Sequence, residues 1–186
     1  TITDTSTSMR RVLTWANELL PKGSGFVGGN PMVSGNDVSE ATENAFEETR
    51  WAISTTPQTS SNSVSSVVDL IDRMGAKPFF IDAGEHDSYV AAAAHIPIVI
   101  SNALMLSAAR SPTWDEISRF AGQDFKKVSS CTQTNPEISS GSLKANQDMI
   151  TSWIDRVILE LNEFKELLSR PDGMDDNDSD PLATTL

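Results

Sequence analysis

The sequence holds one cysteine, two histidines and one tyrosine among 186 residues. One cysteine excludes an internal disulfide framework and fits a reducing compartment, so a cytoplasmic location is expected. Two His and one Cys cannot furnish a Cys/His zinc site, and no metal is expected. Basic residues are scarce as well, with 14 Lys+Arg against 26 Asp+Glu and a net charge of -12. A general nucleic-acid binder needs a basic face that displaces counterions, so no nucleic-acid partner is expected. No stretch is read as a phosphate loop of the GxGxxG or GxxxxGK type, so the part of an α/β domain that cradles nucleotide phosphates is expected to be absent. An initiator Met and a leader pattern are also lacking. The opening TITDTST reads like the end of a strand running into a turn, as in a piece of something larger.

The elements that are present change character near Asp82. Thr7 to Leu20 has Val12, Trp15, Leu19 and Leu20 at helical spacing, and Pro21 ends the run. Gly25 to Gly29 reads as a short strand emptying into a glycine turn. Residues 30–49 read as loop, with a short helix around Glu40 to Phe46. Arg50 to Thr55 is a strand. Ser63 to Met74 is a helix with Val64, Val67, Val68 and Ile71 on one face, and Gly75 is placed to end it. Lys77 to Asp82 is another strand. This alternation suits part of an α/β sheet domain over residues 1–82.

Residues 83–171 read as all-helical. Glu85 to Ala109 is long and apolar, but His95, Pro97, Ser101 and Asn102 interrupt the roughly 20 apolar residues of a membrane span. A buried or subunit-interface helix kinked at Pro97 is expected, and no membrane partner. Trp114 to Phe120 is a short helix, and residues 122–135 read as irregular. Pro136 to Ser169 is helical with a break near Gly141. Its stripe from Met149 to Leu168 is read as packing. Residues 172–186 carry five Asp and no basic residue, so they supply five of the twelve negative units. Their composition reads as a disordered acidic tail.

Three segments carry candidate chemistry: Gly28-Gly29-Asn30-Pro31-Met32, then Glu85-His86-Asp87 with Ala94-His95-Ile96-Pro97, and Asp124-Phe125-Lys126-Lys127 with Asn146 downstream. Together they resemble the prephenate/arogenate dehydrogenase family of tyrosine biosynthesis. Members typically read GGHPM, EHD…SHLP and an Asp-x-x-Ser-x-Lys turn, the last resembling Asp4 to Met9 here. The resemblance runs from Thr1 to about Arg170. It implies a partial Rossmann-type sheet, then a helical domain that dimerises and closes the substrate site. It implies NAD or NADP as cofactor and a small carboxylate substrate. The implied reaction is oxidative decarboxylation: hydride leaves the hydroxyl-bearing ring carbon, the hydroxyl proton goes to a base, and carbon dioxide departs.

Carried over residue by residue, the resemblance puts Asn30, Thr7 and His95 at catalytic positions. It puts Lys127, its neighbour Lys126, and His86 at the substrate, and Asp4, Thr7, Pro31 and Met32 at the cofactor. The family base is the His of GGHPM, whose neutral imidazole suits the task. Asn30 stands there, and an amide cannot take up a proton at neutral pH. Met9 replaces the Lys, Ile98 stands where many members have a second His, and Lys127 replaces an Arg, losing its two-point grip on a carboxylate. Taken alone, His86 and Asp87 read as a helix N-terminal turn, with Glu85 and Asp87 favouring the dipole. A His within an apolar helix reads, by itself, as a hydrogen-bonded core residue. Two functions therefore compete. One is the substrate and dimer part of a dehydrogenase, inactive as an isolated chain. The other is a catalytically degenerate ligand-binding or dimerisation module. A generic helical interaction protein would not account for the first two segments together.

Overall fold

The computed structural model describes residues 1–33, 44–133 and 136–169. The expected tail and most of the expected helix at Glu40 to Phe46 lie outside these residues. The architecture is α/β followed by all-α: a small sheet segment of Rossmann type, then a helical part.

The sheet has four strands in the order β1 (Ile2–Thr3), β2 (Phe26–Pro31), β3 (Arg50–Ser54), β4 (Lys77–Phe80). β1 lies parallel to β2, with Ile2 opposite Phe26. β3 runs antiparallel to β2, with Asn30 opposite Ala52, and parallel to β4. The chain therefore leaves the carboxyl ends of β1 and β2 on the same side, where Asp4 to Ser8 and Asn30 to Val33 meet. In open α/β sheets ligands bind at this end of the strands.

Two helices pack on this sheet. α2 (Ser61–Arg73) starts where Ser60 Oγ accepts the Ser63 N–H at 3.2 Å. It buries Val67 and Ile71 against Val27, Trp51 and Ile53, with Ala76 completing the core. Each such side chain contributes about 2 kcal/mol by leaving water. Gly75 ends α2 at φ +75°, a conformation that costs a side-chain-bearing residue. α1 (Met9–Leu19) turns Met9 and Leu13 inward, one helical turn apart. Trp15 and Leu19 are exposed, so the inward face lies one position round from the expected one.

The string Gly23-Ser24-Gly25-Phe26-Val27-Gly28 does match GxGxxG by letters, a correction to the sequence reading. It runs into strand β2 instead of leading from a strand into a helix, so it has no helix N-terminus to offer a phosphate.

α3 (Ala83–Val90) opens the helical part, with Asp82 Oδ1 accepting the N–H groups of Gly84 (2.7 Å) and Glu85 (3.2 Å). Ala91–His95 then form a π turn, followed by α4 (Ile96–Ala109). The sequence predicted a kink at Pro97, and the structure answers differently. Pro97 has no N–H for the Ala93 carbonyl, and the turn before it widens, with the Ile96 N–H reaching Ala91 O. By length and composition alone, Ala83–Ala109 is apolar enough to cross a membrane.

α5 (Trp114–Phe120), α6 (Gln123–Ser129) and a 3₁₀ turn (Ser130–Gln133) follow. The stretch expected to be irregular is thus mostly helical. Helix α7 (Pro136–Ala145) passes through Gly141, and the break falls at Asn146 before α8 (Gln147–Ser169). The second core gathers Ala91, Ile96 and Ile150, with Met149, Trp153, Ile154 and Val157 against it. Beyond Val157 the apolar stripe of α8 is covered only in part, at Phe164 and Leu167. Ile158, Leu159, Leu161 and Leu168 are exposed in the single chain, so packing does not explain the whole stripe.

Candidate active site

Asn30 is the last fully buried residue of β2. Gly29 beside it cannot be larger, because a Cβ there would lie 2.7 Å from the Asp4 carbonyl oxygen and 2.8 Å from Trp51 Nε1. This close approach brings the Asp4 turn against β2. Asp4 Oδ1 accepts the Gly29 N–H at 2.9 Å, and Oδ2 accepts the Ser6 N–H at 3.1 Å and the Ser6 hydroxyl. Both Asp4 oxygens are therefore occupied in shaping the turn that presents Thr7.

A buried polar chain starts at Asn30. Its Nδ2 donates to His86 Nε2 at 3.0 Å, and His86 Nδ1 donates to Asp87 Oδ1 at 3.0 Å. Both imidazole nitrogens are thus engaged, and His86 and Asp87 are almost fully buried. Asp87 also accepts the N–H groups of Met9 (2.7 Å) and Arg10 (3.1 Å) and the Ser8 hydroxyl (3.3 Å). Its carboxylate caps α1 from another helix, where the sequence reading had it favour the dipole of its own. Burial alone would raise the Asp87 carboxyl, but the bonds from His86, Met9 and Arg10 outweigh it and hold it below its ordinary value. Asn146 Nδ2 donates to the Asp87 carbonyl at 2.6 Å, and Ser8 Oγ to Ala145 O at 3.2 Å. Asp87 therefore ties α1, α3 and the α7–α8 junction together.

A second chain runs beside the first. Thr7 Oγ1, exposed, lies 2.8 Å from Ser142 Oγ on α7. Ser142 Oγ lies 2.9 Å from His95 Nε2 at the end of the π turn. His95 is 3% exposed, and its Nδ1 has no hydrogen-bond partner among the described residues. Burial pushes the His95 imidazole below its ordinary value, and the Asp87 charge draws it part of the way back. His95 is therefore a neutral imidazole at neutral pH.

Of the sequence candidates, the structure pairs Asn30 with His86 and, separately, links Thr7 to His95 through Ser142, with Asp4 bonded to Gly29 and with Pro31 and Met32 at the end of β2. Lys126 and Lys127 are on α6, exposed, and Lys127 Nζ lies 3.9 Å from Asp124. No contact joins them to the polar chains among the described residues. The role of Asp87 as a hub and of Ser142 as a link was not read from the sequence. Ser142 sits in a run of small polar residues with nothing to single it out. Among the described residues no three His, Cys, Asp or Glu side chains converge as metal ligands.

The family model described as "Prephenate dehydrogenase, dimerization domain" matches residues 82–186, over half of the chain. The chain belongs to the prephenate/arogenate dehydrogenase family. It is 24% identical over 175 residues to the prephenate dehydrogenase of Bacillus subtilis (strain 168), covering 92% of this chain and 47% of that protein. The chain thus spans about half the length of that curated relative. Among solved structures, the prephenate dehydrogenase of Aquifex aeolicus in complex with hydroxyphenyl propionate and NAD+ matches with a TM-score of 0.81 at 21% identity. That match covers 90% of this chain and 59% of the other. Synechocystis arogenate dehydrogenase matches with a TM-score of 0.77 at 23% identity, over 90% and 61%. These likenesses establish the fold, a sheet segment followed by a helical dimerisation domain.

Proposed function

We propose that the protein carries out the family's reaction, the NAD(P)-dependent oxidative decarboxylation of prephenate or arogenate. Residues 1–82 contribute part of the nucleotide-binding domain, and residues 83–171 the substrate and dimer domain. What supports this reading is that Asn30, near the end of β2, bonds to His86, and that Thr7, just past β1, is linked through Ser142 to His95, in a chain of this family. The residues present fit the nicotinamide end of the cofactor. Thr7 offers an exposed hydroxyl, and Met32, 45% exposed beyond Pro31, offers an apolar surface. They do not fit its phosphates, since the only GxGxxG string enters a strand. The bound cofactor would supply the hydride acceptor. Thr7 would hold the substrate hydroxyl or the nicotinamide amide. Asn30, bonded to His86, would orient the substrate without taking a proton. Lys126 and Lys127 would draw an anionic substrate toward the domain from the surface.

A homodimer is part of the proposal. Leu159, Leu161 and Leu168 on α8, Leu106 on α4 and Phe120 on α5 leave apolar surface exposed on one chain. A second copy covers this surface in preference to a bilayer, because His86, Asp87 and His95 lie within the same apolar helical run. The location proposed is cytoplasmic.

Assays of the full-length protein with prephenate and arogenate, each with NAD and NADP, test the reading. Turnover should be measurable, and Asn30→His should raise it by about 10²-fold, the lower range for gaining a general base. Absence of turnover in both forms, with calorimetric binding of a cyclic carboxylate retained, would establish the competing reading of a degenerate binding module. Asn30 and Lys127, together with the lack of a glycine-rich loop leading into a helix, favour that alternative.

A further inference from the structure

With an amide at position 30, the proton that leaves the substrate hydroxyl needs another acceptor. His86 cannot serve. Its Nε2 accepts from Asn30, its Nδ1 donates to Asp87, and the ring is buried behind Asn30. Asp87 is sealed in, with four groups donating to it. The other imidazole of the chain is linked to an exposed hydroxyl by two short hydrogen bonds.

We propose that His95 is the proton acceptor of this site, reached from the substrate through the hydroxyls of Thr7 and Ser142. The inference rests on the dehydrogenase reading above. The distances of 2.8 and 2.9 Å are those of hydrogen bonds along which protons pass. Thr7 Oγ donates to Ser142 Oγ, and Ser142 Oγ donates to His95 Nε2. As hydride leaves the hydroxyl-bearing ring carbon for the oxidised nicotinamide, the hydroxyl proton passes to Thr7. The Thr7 proton passes to Ser142, and the Ser142 proton to His95 Nε2. The substrate O–H and C–H bonds break and a carbonyl forms. The electron pair of the ring–carboxylate bond then makes the ring aromatic as carbon dioxide leaves. The relay run backwards returns the proton to the phenolate oxygen, so His95 is reset.

The surroundings of His95 suit a transient acceptor. The ring is neutral at rest because it is buried. Asp87, on α3, is the charge that favours the imidazolium when it forms. α4 carries no charged residue, and the residues of α8 in the core around the π turn are apolar: Met149, Ile150, Trp153. Asp148, at the start of α8, faces Arg10 at 3.8 Å. Among the described residues Nδ1 makes no bond that would fix the ring for structural reasons.

The test uses the full-length protein with Ser142→Ala, Thr7→Val and Thr7→Ser. In steady-state assays Ser142→Ala and Thr7→Val should lower kcat by about 10-fold to 10²-fold, within the range for impaired proton transfer, and change KM little. Thr7→Ser, which restores the hydroxyl, should recover most of the rate lost in Thr7→Val. The proton inventory in mixed H₂O and D₂O should be curved in the wild type and linear in Ser142→Ala. In the Asn30→His background, which has its own base, Ser142→Ala should be nearly neutral. A second readout needs no turnover: with the ring protonated at low pH, exchange of the His95 Nε2 proton with water, followed by NMR, should slow about ten-fold or more in Thr7→Val. Unchanged kcat and inventory in Ser142→Ala, or unchanged ring-proton exchange in Thr7→Val, would overturn the relay. A wild type without turnover, but with slowed exchange in Thr7→Val, would overturn the dehydrogenase reading and leave the proton path standing.

Discussion

Replacing Asp87 by Ala should be among the most damaging single changes in this protein, for reasons that can be counted. The side chain is 1% exposed. Its oxygens receive the first two N–H groups of α1, the Ser8 hydroxyl and the His86 Nδ1–H, and Arg10 Nε lies 3.6 Å away. Bonds to a charged acceptor are worth about 1.5–3 kcal/mol each, and they do not add fully, because removing the carboxylate also recovers its desolvation penalty. A net loss of about 3–5 kcal/mol is expected, the range for breaking a buried charged network. For a chain of this size that lowers Tm by roughly 10 °C. The pH dependence follows from the direction of the shift. The Asp87 carboxyl lies below its ordinary value near 3.8 in the folded state. Its contribution is complete above that value and is lost as pH falls through the lowered folded value. Urea melts of wild type and Asp87→Ala from neutral pH down to the acid transition measure both effects. The stability difference should be large at neutral pH and should close below the ordinary carboxylate value. A difference under about 1 kcal/mol at neutral pH would refute the hub, since such a value belongs to an exposed pair.

Three further outcomes are expected. The His95 imidazole is lowered in the fold, so the unfolded chain takes up a proton first. Stability should therefore decline from its ordinary value near 6.5 down to the lowered folded value, and His95→Gln should remove that decline in urea melts at graded pH. Pro97→Ala restores an N–H to the helix and should close the π turn. The His95 ring resonances should shift as its bond to Ser142 is lost, and unchanged resonances would show that the turn has another cause. Leu161→Asp, on the exposed half of α8, should leave the helical circular dichroism intact and convert a dimer to a monomer by light scattering. A dimer that persists would place the interface elsewhere.

The sheet segment was legible because its signals are local. Short runs of aromatic and β-branched residues near glycine and proline gave β2, β3 and β4, and the Val64, Val67, Ile71 spacing gave α2 with Gly75 at its end. α6 was missed because Gln123 to Ser129 has almost no apolar stripe, and its helix is held by tertiary contact with α4. The π turn was missed because proline in a helix predicts a defect without choosing between a kink and a wider turn. Asn30, His86 and His95 were found as motif positions, but their pairings were not. Asn30 meets His86 across 56 residues, and His95 meets Ser142 across 47. No periodicity encodes such contacts. The same holds for Asp87, whose sequence neighbours suggested a cap for its own helix while the fold spends it on α1.

The two polar chains differ in what holds them. Asn30 satisfies His86 Nε2 in a site sealed from water, and leaving that nitrogen unpaired would cost about 1–3 kcal/mol. Folding alone is therefore enough to explain an amide at position 30, whatever became of catalysis. The Thr7–Ser142–His95 chain has no such explanation. It ends on an exposed hydroxyl that water could satisfy, and at its buried end it leaves His95 Nδ1 without a partner among the described residues, a cost the fold tolerates. An apolar residue at position 95 would fill the same core without that cost. A buried polar group that stability does not explain, joined by two hydrogen bonds to an exposed hydroxyl, supports the proposed proton path. On the proposed reading, Asn30 marks a moved proton acceptor and not a lost reaction.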